Sequence, residues 1–346
     1  MFLHIENMLS TALDGKVILD FTLLLPGPLG TNMLAEMGAK VIKIEHPKKR
    51  DDTRMYPPFV NDQAMLYTML NHKKEERVID YRSEEGRLQV LELVREADVL
   101  IEQFRPQVMK AWGLDYETLK TINPKLIYLS LSGYGQEGAY SLKAGHDLNY
   151  LACTGILDLM RDERGKPVIP GVQIADIAGG SYMLVTACLA ALLQGKGQYV
   201  DVSVLDGIPH LLTIPLSQLW GGLDPHEMKL LNGNLVNYNV YKTKDGAWMA
   251  LGALEVKFWN QFCDGVSQPD WKRQNFWELS IHAFPYAAVQ ELFASKTKEE
   301  WMAWNKGRDV CLSPVLKIDE VEKDEHIKAR QYFDYQKGIN MPWLKK

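Results

Sequence analysis

Cysteine is scarce: four in 346 residues, at Cys153, Cys188, Cys263 and Cys311. They are scattered, with neither the paired spacing of a metal site nor the density of a disulfide framework, which fits reduced thiols and a cytoplasmic location. Long apolar runs are lacking too. The strongest, Ser181 to Leu193, falls short of the roughly 20 residues a membrane-crossing helix needs, so no membrane partner is expected. Met1 to Leu13 contains Glu6 and lacks a basic start followed by a long apolar block, so it does not read as a signal peptide. Neither charge sign dominates. Lys and Arg total 39 against 44 Asp and Glu, a net charge of −5, which argues against a dedicated nucleic-acid binder. There is no G-x-G-x-x-G and no G-x-x-x-x-G-K-[ST], so a dinucleotide or nucleoside-triphosphate site is poorly supported. No repeat and no low-complexity tract is visible. What remains is ordinary globular usage, with 46% hydrophobic and 24% charged residues, in a chain whose length favours two domains.

The first half alternates β-branched runs with helical patterns. Val17–Phe21, Lys40–Ile44, Arg77–Asp80, Ala97–Ile101 and Lys125–Ser130 read as strands. Leu88, Leu91 and Val94 stand at helical spacing between two of them. That alternation predicts βαβ units and a mostly parallel sheet within residues 14–205. The second half differs. Residues 206–224 read as a linker, rich in Leu, Pro and Gly. Residues 225–325 read as a smaller α+β domain, in which Asp245-Gly246 signals a hairpin between a strand ending at Tyr241 and the run Ala247–Leu251. Residues 326–346 return to complete the large domain, 1–205.

Parallel sheets bind ligands beyond the carboxyl ends of their strands, so polar clusters in those loops carry the interest. Leu25-Pro-Gly-Pro-Leu-Gly30 reads more simply as a turn that starts a helix than as a ligand-facing backbone. Gly145-His-Asp-Leu-Asn-Tyr150 sets His146 beside Asp147; taken alone, these are a surface histidine and a helix N-cap. Ala175-Asp-Ile-Ala-Gly-Gly180 puts Asp176 where a helix begins, with its anion favoured by the helix dipole. Ala178, Gly179 and Gly180 either leave room for a substrate or allow close helix packing. Glu255 follows the hairpin strand of the small domain, either as a solvated helix start or as a reaching carboxylate. One histidine and three carboxylates suit general acid–base chemistry with two opposed proton carriers.

Longer phrases carry a resemblance. Gly15-Lys-Val-Ile-Leu-Asp20, Pro26-Gly-Pro28, Leu34-Ala-Glu-Met-Gly-Ala-Lys-Val-Ile-Lys-Ile-Glu45, Ala97-Asp-Val-Leu-Ile-Glu-Gln-Phe-Arg-Pro106, Asn123-Pro124, Ser132-Gly-Tyr-Gly-Gln136 and Gly197-Gln-Tyr-Val-Asp-Val-Ser203 occur in order, and the chain resembles the class III CoA-transferase family from about residue 14 to 332. The resemblance implies a Rossmann-like large domain, a small α+β domain and an interlocked homodimer. Within the family, the clusters at 145–150, 175–180 and 252–255 resemble the α-methylacyl-CoA racemase branch. There His146 would pair with Glu255 and Asp176 with Asp147 across the substrate α-carbon. In the transferase branch, which generally lacks the histidine, the residue at the Asp176 position is a covalent nucleophile; that activity is the alternative.

The resemblance also implies that coenzyme A, bound as part of an acyl-CoA substrate and with no other cofactor, is held by residues such as His46, Lys48, Arg50, Lys73, Gln103, Phe104, Arg105 and Tyr150. Two family arginines are replaced, one by His46 and one by Ala111, which puts the phosphate contacts in doubt. Backbone N–H groups near Asp147 or at the Asp176 helix start are expected to hold an enolate oxygen.

Overall fold

In the computed structural model, the described residues are 8–162, 164–224, 226, 231–273, 280–282, 285–334 and 338–344. The expected domain start at Pro225 and residues 1–7 lie outside them. The chain divides into two compact units, Met1–Thr213 with Lys328–Lys346, and Ile214–Ile327. The stretch read as a linker is not extended chain. It forms helical turns at Val204–Gly207, Pro209–Leu212 and Thr213–Trp220, and the division falls at Thr213 because the turns before it stay packed on the first unit.

The first unit is built on six parallel strands: β1 (Val17–Phe21), β2 (Lys40–Glu45), β3 (Glu75–Val78), β4 (Val99–Glu102), β5 (Ile127–Ser132) and β6 (Gln198–Ser203). They lie in the order β3-β2-β1-β4-β5-β6. The order reverses between β1 and β4, and a crevice opens at such a switch point beyond the strand ends. β4 and β5 are buried along their whole length, which is why they read as continuous runs rather than alternating ones.

Helices cover the sheet. Helix α1 (Pro26–Glu36) starts with Pro26 in its first turn, where a missing N–H costs nothing. Helix α2 (Glu84–Glu96) is capped by Ser83, whose Oγ accepts from Gly86 N at 3.0 Å, and carries Glu84 and Glu85 at its positive end. Its buried Val90 and Val94 pack with Leu19, Ile42, Leu100 and Tyr128 in the main core. Two further helices bear on the site: α3 (Asp147–Cys153) and α4 (Met183–Gln194). A π-helical stretch, Ala175–Tyr182, runs directly into α4. The apolar segment is therefore longer than its composition suggested: Ala175–Gln194 is 20 residues and by length and apolarity could cross a bilayer. Here Leu184, Val185, Cys188 and Ala191 of α4 are buried and the helix packs against β5 and β6.

The second unit holds a three-stranded antiparallel sheet of β7 (Tyr238–Lys242), β8 (Trp248–Gly252) and β9 (Leu312–Pro314), with β8 central. The β7–β8 hairpin turns at Asp245-Gly246, with Gly246 at φ 81°. That is a left-handed conformation in which glycine carries no Cβ penalty. Helix α5 (Val256–Gly265) packs Trp259 and Phe262 into an aromatic core with Tyr241, Phe293 and Trp301. Within it Tyr241 stacks on Phe293, 4.7 Å between ring centroids.

Candidate active site

The strand ends β4 and β5 open on a cleft of about 240 Å³ lined by Gln103, Phe104, Arg105, Ser132, His146 and Tyr150, among others. Five residues expected at the site from the sequence thus converge there. Tyr150 is the buried anchor. Its hydroxyl donates to Gly145 O at 2.8 Å, and its ring packs so tightly on Gly133 that a Cβ there would lie 2.3 Å from the phenol oxygen. That close approach, rather than a ligand, explains the glycine. His146 stands at the N-cap of α3 with an exposed side chain, and its backbone N–H donates to Asn149 Oδ1 at 3.0 Å.

Asp147, the first residue of α3, reaches the π-helical stretch. Its Oδ1 accepts from Asp176 N at 3.0 Å. π-helical turns recur at functional sites, and this one places the Asp176 carboxyl half-buried among like and unlike charges. Burial, then the neighbouring Asp147 carboxylate, pushes the Asp176 pKa up to about 6, against an opposing pull from His146. The same two carboxylates, after burial, hold the Tyr150 phenol well above its usual range. A carboxyl tuned close to neutrality can both take and return a proton.

One expectation needs correction, and one open alternative is decided. The Asp176 N–H is occupied by Asp147, so it is not free to hold an enolate oxygen. The small residues after Asp176 serve packing: a Cβ on Gly179 would lie 2.2 Å from Val204 O, and one on Gly180 2.6 Å from Pro26 Cβ.

The residues expected to contact CoA divide. Gln103 lines the cleft, and its Oε1 accepts from Gly27 N at 3.0 Å, tying the β1 and β4 loops together across the switch point. Phe104 lies edge-on to Trp112, 5.0 Å between centroids, and Arg105 is exposed. Tyr150 lines it too, whereas His46, Lys48, Arg50 and Lys73 do not. His46 is buried against Tyr81, its Nδ1 accepting from Lys48 N at 3.1 Å and its Nε2 2.9 Å from Asp80 Oδ1. Arg50 gives two hydrogen bonds to Glu45 Oε2, at 2.9 and 2.6 Å. Lys48 is exposed, and Lys73 is exposed with its Nζ 3.7 Å from Glu36. Glu255 belongs to the second unit, at the N-cap of α5.

A buried charge network escaped the sequence reading. Asp20 Oδ2 lies 2.9 Å from Lys74 Nζ and accepts from Thr31 Oγ at 2.7 Å. Lys43 Nζ reaches Asp51 Oδ2 at 3.1 Å and Thr22 O at 2.9 Å. All four charged side chains are fully buried. Against the desolvation cost, Lys74 and Lys43 hold the Asp20 carboxyl down at about 2. The network fixes the turn between β1 and α1. Its signal was present: Asp20 and Lys43 are charges inside otherwise apolar strands.

The profile of CoA-transferase family III matches residues 13–342. The chain belongs to that family. Family relatives include human alpha-methylacyl-CoA racemase, 34% identical over 93% of this chain and 82% of the relative. A succinate–glutarate CoA-transferase of Agrobacterium fabrum is 39% identical over 92% and 83% of the two chains. Among solved structures, a CaiB/BaiF family protein from Brucella suis aligns with a TM-score of 0.80 at 31% identity, covering 93% of this chain and 89% of that one. Racemases and transferases therefore both stand among the relatives of this family member.

Proposed function

We propose that this enzyme racemises 2-methylacyl-CoA thioesters by 1,1-proton transfer. The observation that carries the reading is the Asp176 carboxyl, held at about 6 beside Asp147 and His146. One of Asp176 and His146 takes the α-proton, the C–H electron pair passes into an enolate, and the other returns a proton to the opposite face. Which of them acts as base depends on the starting stereoisomer. Asp147 orients Asp176 and raises its pKa. The Asp147 N–H, at the first position of α3, has no acceptor within its helix and is offered to the enolate oxygen. Glu255 is assigned to orient and tune the proton carriers. A homodimer in the cytoplasm is part of the same proposal.

The transferase alternative is favoured by the 39%-identical CoA-transferase and would use the ionised Asp176 as nucleophile. A chiral 2-methylacyl-CoA in deuterated water, with no carboxylate acceptor present, separates the two. Racemisation incorporates deuterium at the α-carbon with loss of chirality. Absence of exchange, together with CoA transfer once a carboxylate is added, overturns the racemase reading.

A further inference from the structure

The strongest structure outside the proton-transfer group is a polar row across the carboxyl ends of three strands. Glu102, Ser130 and Asp201 stand opposite one another in register on β4, β5 and β6. Glu102 is 5% exposed. Its Oε1 accepts from Ser130 Oγ, and its Oε2 accepts from Phe104 N at 2.7 Å. Ser130 Oγ in turn accepts from Gln136 Nε2 at 2.9 Å, and Gln136 N donates to Asp201 Oδ2 at 2.9 Å. A carboxyl buried this deeply, without a cationic partner in any of these contacts, is costly.

The contacts explain what the row holds. Phe104 N belongs to the loop Gln103–Pro106, which forms one wall of the cleft that contains His146. Gln136 belongs to the loop that leaves β5 through Ser132 and Gly133, which form another. A second cleft of about 320 Å³ is lined by Glu102, Gln136 and Tyr199, and Arg105 lines both clefts. Glu102 thus sits beneath the loop that presents Arg105, bonded to backbone on one side and to the Ser130–Gln136 pair on the other.

We propose that Glu102 is a positioning residue for the CoA thioester: through the Phe104 N–H and Ser130 it sets the 103–106 loop, and with it the cleft wall that receives the substrate. It touches neither proton carrier. Its loss is expected in substrate affinity and not in the chemical step. Burial, partly offset by Ser130 and the Phe104 N–H, pushes the Glu102 carboxyl up to about 7. The acid and the carboxylate forms both retain an oxygen for the Phe104 N–H.

This inference rests on the proposed CoA-thioester reading, and the test separates the two. Steady-state kinetics and equilibrium binding of a 2-methylacyl-CoA are measured for wild type, Glu102→Gln, Glu102→Ala and Ser130→Ala, with thermal unfolding of each. Gln keeps an oxygen for the Phe104 N–H and gives an amide donor to Ser130, so it is expected within about threefold of wild-type KM. Glu102→Ala is expected to raise KM and Kd about tenfold with kcat within about twofold, and Ser130→Ala to raise them by less. If Glu102→Ala fails to fold, the Gln and Ser130→Ala variants still decide the matter. Unchanged KM in Ser130→Ala, or a fall in kcat at unchanged KM, overturns the positioning role. Absence of thioester binding by the wild type overturns the underlying reading instead.

Discussion

Asp176→Asn tests the site through stability, independently of any substrate. In the folded chain the Asp176 carboxyl is held at about 6, against an ordinary 3.8. The folded state therefore binds this proton more tightly than the unfolded chain does. The ionised side chain begins to cost stability as pH rises past the ordinary value, and the cost is complete once pH exceeds the folded value. A difference of about two pH units corresponds to about 3 kcal/mol at full weight. Asp176 is only half-buried, so solvent screening reduces this to about 1–2 kcal/mol. Asparagine keeps the shape and removes the charge. Chemical denaturation at pH 8 should show the variant about 1–2 kcal/mol more stable than wild type, with the advantage gone at pH 3.5. Its exchange activity should be abolished. A variant no more stable at pH 8 than at pH 3.5, relative to wild type, refutes the claim that Asp147 and burial strain this carboxylate.

Three other outcomes follow from the geometry. Asp147→Asn removes the neighbouring negative charge while keeping an oxygen for the Asp176 N–H. The acidic limb of the pH–rate profile should move to lower pH, which stopped assays between pH 4 and 8 would record. Gly179→Ala drives a Cβ into Val204 O at 2.2 Å; the expected loss is about 2 kcal/mol or more, read from denaturation midpoints. Asp20→Ala leaves Lys74 buried without the carboxylate it is paired with and should cost about 3–5 kcal/mol. Because the Asp20 carboxyl is held down at about 2, its contribution is present above its ordinary pKa and lost as pH falls through about 2. The gap between wild type and variant should therefore narrow in acid unfolding experiments.

Local patterning was enough for the architecture. Runs such as Val17–Phe21 and Lys125–Ser130, separated by helical spacing, specify parallel strands because a strand buried on both faces must be apolar almost throughout. Asp245-Gly246 specified its hairpin because few residues tolerate φ near 81°. The long ordered phrases specified the family.

Tertiary structure decided the rest, because charge behaviour and close contact depend on neighbours distant in sequence. Asp176 becomes a near-neutral acid through burial and through the Asp147 carboxylate that α3 brings to its N–H, 29 residues away. Arg50 and His46 are expected from sequence among the CoA contacts, and the fold hydrogen-bonds them to Glu45 and Asp80. The glycines after Asp176 read equally as space for a substrate or as helix packing until Val204 and Pro26 are seen to fill that space. Glu102 was part of a family phrase with no role of its own; the register of three strands makes it the support of a cleft wall. Sequence periodicity records which face of an element is buried, but not which polar groups share that burial.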